Sequence, residues 1–107
     1  MGGDMDNCVR MWRSLGEGNW ASLLICNADR YVKITLSWLY DGDYGMYTIT
    51  RELRDYAHTW EELERRFRED PQWLWRQALQ DILEDFRKKM NMANVIKVAE
   101  TILDRLS

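Results

Sequence analysis

The sequence predicts an α+β domain. It has a three- or four-stranded antiparallel β-meander in residues 1–50, followed by about three α-helices in residues 51–107 packed on one face. Three observations predict it. Val32, Ile34, Leu36, Trp38 and Tyr40 alternate with Tyr31, Lys33, Thr35, Ser37 and Leu39, the period of a strand with one buried face. Charge density changes near Thr50, with four basic and six acidic residues before it and eleven and twelve after. Two helix-start signatures, Thr59-Trp60-Glu61-Glu62 and Asp70-Pro71, each open a stretch with helical spacing.

Taken in chain order, Val9 to Ser14 fits either a fourth strand or a short helix, and the flexible Gly16-Glu17-Gly18 follows it. Trp20 to Cys26 is a short apolar run ending at a turn over Asn27-Ala28-Asp29, because Asn and Asp tolerate left-handed backbone angles. The clearest strand is Arg30 to Tyr40. Asp41-Gly42-Asp43-Tyr44-Gly45 reads as a second turn and Met46 to Thr50 as the next strand.

The capping box at Thr59 starts a helix from about Trp60 to Arg68, its Thr hydroxyl and Glu carboxylate satisfying unpaired amides. Asp70 caps the next helix, with Pro71 at the first position, where its missing N–H does no harm. That helix reaches Lys89. It carries a stripe of Trp75, Leu79, Ile82, Leu83, Phe86 and Met90, and Arg87, Lys88 and Lys89 suit its negative end. Val95, Ile96, Ala99, Ile102, Leu103 and Leu106 predict a last helix from about Met92 to Leu106, antiparallel to its predecessor.

A length of 107 residues suits a single domain over 1–107, large enough to be stable without disulfides or a structural metal. The longest apolar run is Leu23 to Cys26, far short of a membrane span, and Met1 to Asn7 is acidic and Gly-rich, unlike a secretory signal. No membrane association is expected, and the setting is read as cytoplasmic. Cys8 and Cys26 are too far apart for a C-x-x-C motif, so that setting predicts buried free thiols. A net charge of −3 disfavours strong non-specific binding to nucleic acid.

Candidates for chemistry are few, and the reading assigns no catalytic residue, no metal site and no cofactor. His58 is the single histidine, so any Ser-His or Cys-His pair must use it, yet it stands just before a helix cap where a solvent-facing ring is the plain expectation. Asp41 to Glu52 has the length of an EF-hand loop but carries Met46 where that loop needs glycine, and a strand precedes it. Gly16 to Ala21 fits G-x-G-x-x-A but opens onto a strand, whereas the nucleotide fingerprint must open a helix. Glu61, Glu62, Glu64, Asp81, Glu84 and Asp85 are explained by helical spacing as solvated faces.

Six Trp and five Tyr are the unusual feature. Trp38 and Trp75 take core positions, while Trp12, Trp20, Trp60 and Trp73 fit neither periodicity, and Tyr44 and Tyr47 lie in or beside a turn. Large rigid aromatics are enriched at interface hot spots. The expectation is a non-enzymatic protein-binding accessory or inhibitor module. Small acidic chains of this kind include anti-CRISPR-like inhibitors, which mobile elements direct at host defence complexes. Its partner would be met by Tyr44, Tyr47, Trp60, Glu61, Glu64, Arg65, Arg68 and Trp73. The breadth of the 71–90 stripe makes a homodimer through helices 71–90 and 92–106 a further expectation. Two alternatives remain. One is a nucleic-acid-binding accessory protein using Arg51, Arg54, Arg65, Arg66 and Arg68 with Tyr56. The other is a small enzyme with a site assembled from scattered carboxylates and His58.

Overall fold

The structure, a computed structural model, describes residues 7–89, 100, 101 and 104. Four strands, β1 (Cys8–Gly16), β2 (Asn19–Ala28), β3 (Tyr31–Tyr40) and β4 (Asp43–Glu52), form one antiparallel sheet in the order β1-β2-β3-β4. A 3-10 turn over Leu53–Asp55 leads to helix α1 (Trp60–Glu69) and helix α2 (Pro71–Lys89). The α+β meander of the sequence reading is present, with two α-helices among the described residues. Of the third expected helix, Met92 to Leu106, the described residues Glu100, Thr101 and Asp104 are helical and the others lie outside the described residues.

Val9 to Ser14, open between strand and helix in the sequence, lies within β1 and pairs with β2 from Cys8↔Cys26 to Ser14↔Trp20. The two turns expected at Asn27-Ala28-Asp29 and Asp41 to Gly45 are tighter than their sequences suggest. Chain reversal takes only Asp29-Arg30 and Asp41-Gly42, and the flanking residues join the ladder as Ala28↔Tyr31, Tyr44↔Leu39 and Gly45↔Trp38. Two-residue hairpins need positive φ because only that backbone twist matches the strands. Asp41 and Gly42 supply φ of 52° and 82°, and Glu17 and Gly18 supply 56° and 80° in the first hairpin.

One face of the sheet builds the core. Val9, Met11, Ala21, Leu23, Ile25, Val32, Ile34, Leu36, Trp38 and Ile49 are buried there beneath the helices. Helix α1 contributes Trp60 and Leu63, and α2 contributes Leu74, Trp75, Ala78, Leu79, Ile82, Leu83 and Phe86. Each such aliphatic or aromatic side chain stabilises the fold by about 1.5–3 kcal/mol relative to exposure. Of the stripe read on α2, Trp75, Leu79, Ile82, Leu83 and Phe86 are therefore consumed inside the chain and are not available to a second copy, while Met90 and most of 92–106, the other helix of the expected dimer contact, lie outside the described residues.

Helix starts follow the sequence closely. The Thr59 hydroxyl accepts from the Glu62 N–H at 3.1 Å, and the Asp70 carboxylate accepts from the Trp73 N–H at 3.3 Å. Glu62 departs from the standard box, since its carboxylate accepts the N–H of His58 at 2.6 Å, one residue before the cap.

The two cysteines correct a further expectation. Instead of buried free thiols they form a Cys8–Cys26 disulfide between directly paired residues of β1 and β2, and both are only half-buried. The hairpin register is responsible: closing the chain at Glu17-Gly18 sets residue 8 opposite residue 26.

Candidate functional site

Strand alternation determines what the sheet shows on the side away from the helices. With Val9, Met11, Ala21, Leu23, Ile25, Val32, Ile34, Leu36 and Ile49 turned to the core, their neighbours point the other way. Across the strands these outward residues form rows: Trp12, Ser22, Ser37 and Met46 in one, and Ser14, Trp20, Leu39 and Tyr44 in the next. Toward the opposite end follow Arg10, Leu24, Thr35 and Thr48, then the disulfide with Lys33 and Thr50. The Thr35 and Thr48 hydroxyls bond each other at 3.0 Å across β3 and β4.

Large apolar side chains concentrate on this face. Trp12, Tyr31, Tyr44 and Met46 are 63, 44, 64 and 60% exposed, and all four stand on it. The rings of Trp20 and Tyr44 meet edge to face over Leu39, 6.0 Å between centroids. Helices α1 and α2 both pack on the opposite side. Exposed apolar clusters of this kind mark contact surfaces, because water is readily displaced from them.

The eight residues singled out in the sequence are divided among three environments. Glu61, Arg65 and Arg68 are exposed on α1, and Glu64 is half-buried beside them. Trp60 is 5% exposed in the core, and Trp73 is half-buried with the Arg66 guanidinium 3.8 Å above its ring and Tyr56 at its edge. Tyr47 faces the helices, where it stacks on Phe86 and donates a 2.6 Å hydrogen bond to Asp85. Tyr44 alone stands on the open face. Trp12, Trp20, Leu39 and Met46 were missed as a group; reading β1 as a strand puts Trp12 outward by alternation with Met11.

The carboxylates weighed for acid–base chemistry are largely absorbed by structure. Tyr56 donates to Asp81, and Tyr47 donates to Asp85 one helical turn further along α2, so two phenols tie that helix to the sheet side. Arg51 joins them, donating to the Asp81 carbonyl at 3.2 Å with its guanidinium 4.0 Å from Asp85. Burial, reinforced by the bond to Asp81, pushes the Tyr56 phenol well above its ordinary range. The bond to Asp85 is the main reason the Tyr47 phenol is also raised.

His58 is exposed beside a shallow depression of about 390 Å³ that Asp29, Arg30, Tyr31, Glu52, Leu53 and Arg54 also line. Its Arg54–Glu52 ion pair, 2.6 Å long, is solvent-facing. Among the described residues, no group of three His, Cys, Asp or Glu is arranged to hold a metal ion, and no helix is long and apolar enough to cross a membrane. The Asp41 to Glu52 segment is a hairpin turn and its following strand, and Gly16 to Ala21 spans the first hairpin, opening onto β2.

These features define a helix-backed β-meander with one open, aromatic face. Comparison with protein-family models, with curated proteins and with solved structures returned no match.

Proposed function

We propose that this protein is a non-enzymatic binding module for a protein partner, of the accessory or inhibitor class, such as a mobile-element inhibitor of a host defence complex. The observation that carries the reading is the gathering of Trp12, Tyr31, Tyr44 and Met46 on one side of the sheet. Rigid aromatic area of this kind supplies binding energy at low conformational cost. The exposed Glu61, Arg65 and Arg68 of α1, with Glu64, offer a second, charged surface. A cytoplasmic setting belongs to the same reading, and there the Cys8–Cys26 bond would stand against the reducing thiol pool.

Engagement of side chains within the chain supports this over the alternatives. Of the arginines a nucleic-acid surface would need, Arg51, Arg54 and Arg66 already meet Asp85, Glu52 and the Tyr56 carbonyl. Asp81 and Asp85, the best placed carboxylates for an enzyme, serve Tyr56 and Tyr47.

The test is affinity capture from the native host followed by mass spectrometry, with wild type beside Trp12→Ala, Tyr44→Ala and an Arg65→Glu/Arg68→Glu variant. The expected outcome is one host complex retained by wild type and lost with at least one surface. Capture indifferent to all of these substitutions, or retardation of nucleic acid in a low-salt gel shift with no protein captured, overturns it.

A further inference from the structure

We propose that the open face of the sheet takes a second copy of this chain, forming a two-fold symmetric dimer that leaves both α1 helices outward. The inference rests on reading that face as a contact surface and goes further by naming its occupant.

Charge along the strands is self-complementary. At one end, the β1–β2 and β3–β4 turns carry Glu17 and Asp41 and no Lys or Arg. Glu17 and Asp41 sit in the adjacent β1–β2 and β3–β4 turns, so the acidic charge gathers at one edge of the face. Toward the other end the face presents Arg10 and Lys33, both exposed, on β1 and β3. The acidic residues at that end are Glu52, which Arg54 takes up at 2.6 Å, and Asp29, which stands beside Arg30 in the β2–β3 turn. Between these zones lies the apolar centre of Trp12, Trp20, Leu39, Tyr44 and Met46.

A two-fold axis lying in the interface and running across the strands inverts one copy's strand direction relative to the other. It therefore sets the basic zone of each copy over the acidic turns of its partner and the apolar centre upon itself, the isologous arrangement of a closed dimer. The translation-free alternative, with strands pointing the same way, would put like charges together. Size is sufficient: strands about 3.4 Å per residue in rise and about 4.8 Å apart give a face of roughly 600 Å² per copy. Complete overlap of the two faces buries about 1,200 Å², the lower bound for a stable interface.

The experiment is sedimentation equilibrium on the full chain over about 1 to 300 µM, the range in which an interface at the small end of the size scale dissociates. Wild type is expected to pass from the 12.9 kDa monomer to twice that mass. Trp12→Asp/Met46→Asp should weaken association at least a hundredfold. Arg10→Glu/Lys33→Glu, acidic at both ends, and Glu17→Lys/Asp41→Lys, basic at both ends, should each remain monomeric, yet dimerise when mixed in equal amounts. That rescue cannot arise from misfolded variants, and circular dichroism of each checks the fold independently.

A wild-type chain that stays monomeric throughout, a dimer indifferent to Trp12→Asp/Met46→Asp, or failure of the mixed pair to associate overturns the proposal. A monomer that still captures a host protein through Trp12 ends self-association alone and leaves the binding-module reading standing. A dimer that captures nothing does the reverse.

Discussion

Gly45 on β4 lies directly opposite Trp38 on β3, and a Cβ added to Gly45 would overlap the six-membered ring of the Trp38 indole. The tryptophan covers this glycine as part of the core, at 5% exposure. Gly45→Ala therefore requires the indole or its strand to move. Overpacking of this kind costs about 1–3 kcal/mol. Urea denaturation should show the loss, and Gly45→Val should cost more; an unchanged midpoint for both would refute the contact.

The Tyr56–Asp81 bond holds α2 to the segment between sheet and helices. Tyr56→Phe removes the hydroxyl and leaves Asp81 short of a donor, at an expected cost of about 1–3 kcal/mol. Alkaline pH acts on the same bond. Because burial raises the folded phenol above its unfolded value of about 10, the stabilisation is complete below that pH and is lost as pH rises beyond it. Tyrosinate absorbance should thus appear for Tyr56 only as the fold is lost, and Tyr56→Phe should flatten the alkaline decline in melting temperature.

Cys8 and Cys26 close an 18-residue separation at the outer edge of the sheet. Constraint of the unfolded chain by such a loop is worth about 3 kcal/mol in the chain-entropy model. Cys8→Ser/Cys26→Ser, or dithiothreitol added to wild type, should lower the unfolding midpoint by similar amounts. Dithiothreitol should have no effect on the double variant.

Thr59→Ala should cost about 1 kcal/mol, since it leaves the Glu62 N–H without its acceptor. The His58 N–H holds the Glu62 carboxyl below its ordinary range. With the folded value depressed, this contact is complete above the unfolded value of about 4.3 and is lost as pH falls through the lower folded value. Glu62→Gln should accordingly reduce the acid sensitivity of helix content measured by circular dichroism as pH falls below about 4.3.

The parts legible in the sequence were those that local physics decides. Alternation over residues 31–40 identified β3, Thr59 and Asp70-Pro71 placed the starts of α1 and α2, and helical spacing from Trp75 to Phe86 gave the buried stripe. Such signals work because period, caps and turns depend on residues within a few positions of one another. The turns were placed but read too long, since Asp43 and Gly45 have turn chemistry yet serve as strand residues once Asp41-Gly42 completes the reversal.

Composition, strand period and helix caps alone determined that this chain builds an α+β meander backed by helices. Tertiary structure alone decided that Cys8 meets Cys26, that Trp60 is core while Trp12 is surface, and that Asp81 and Asp85 answer to Tyr56 and Tyr47. The reason is physical: each of those outcomes joins residues 18 to 38 positions apart, or depends on which face of the sheet the helices cover. Strand period marks two faces without saying what will lie on either, and packing of α1 and α2 on one of them leaves the aromatic row on the other exposed.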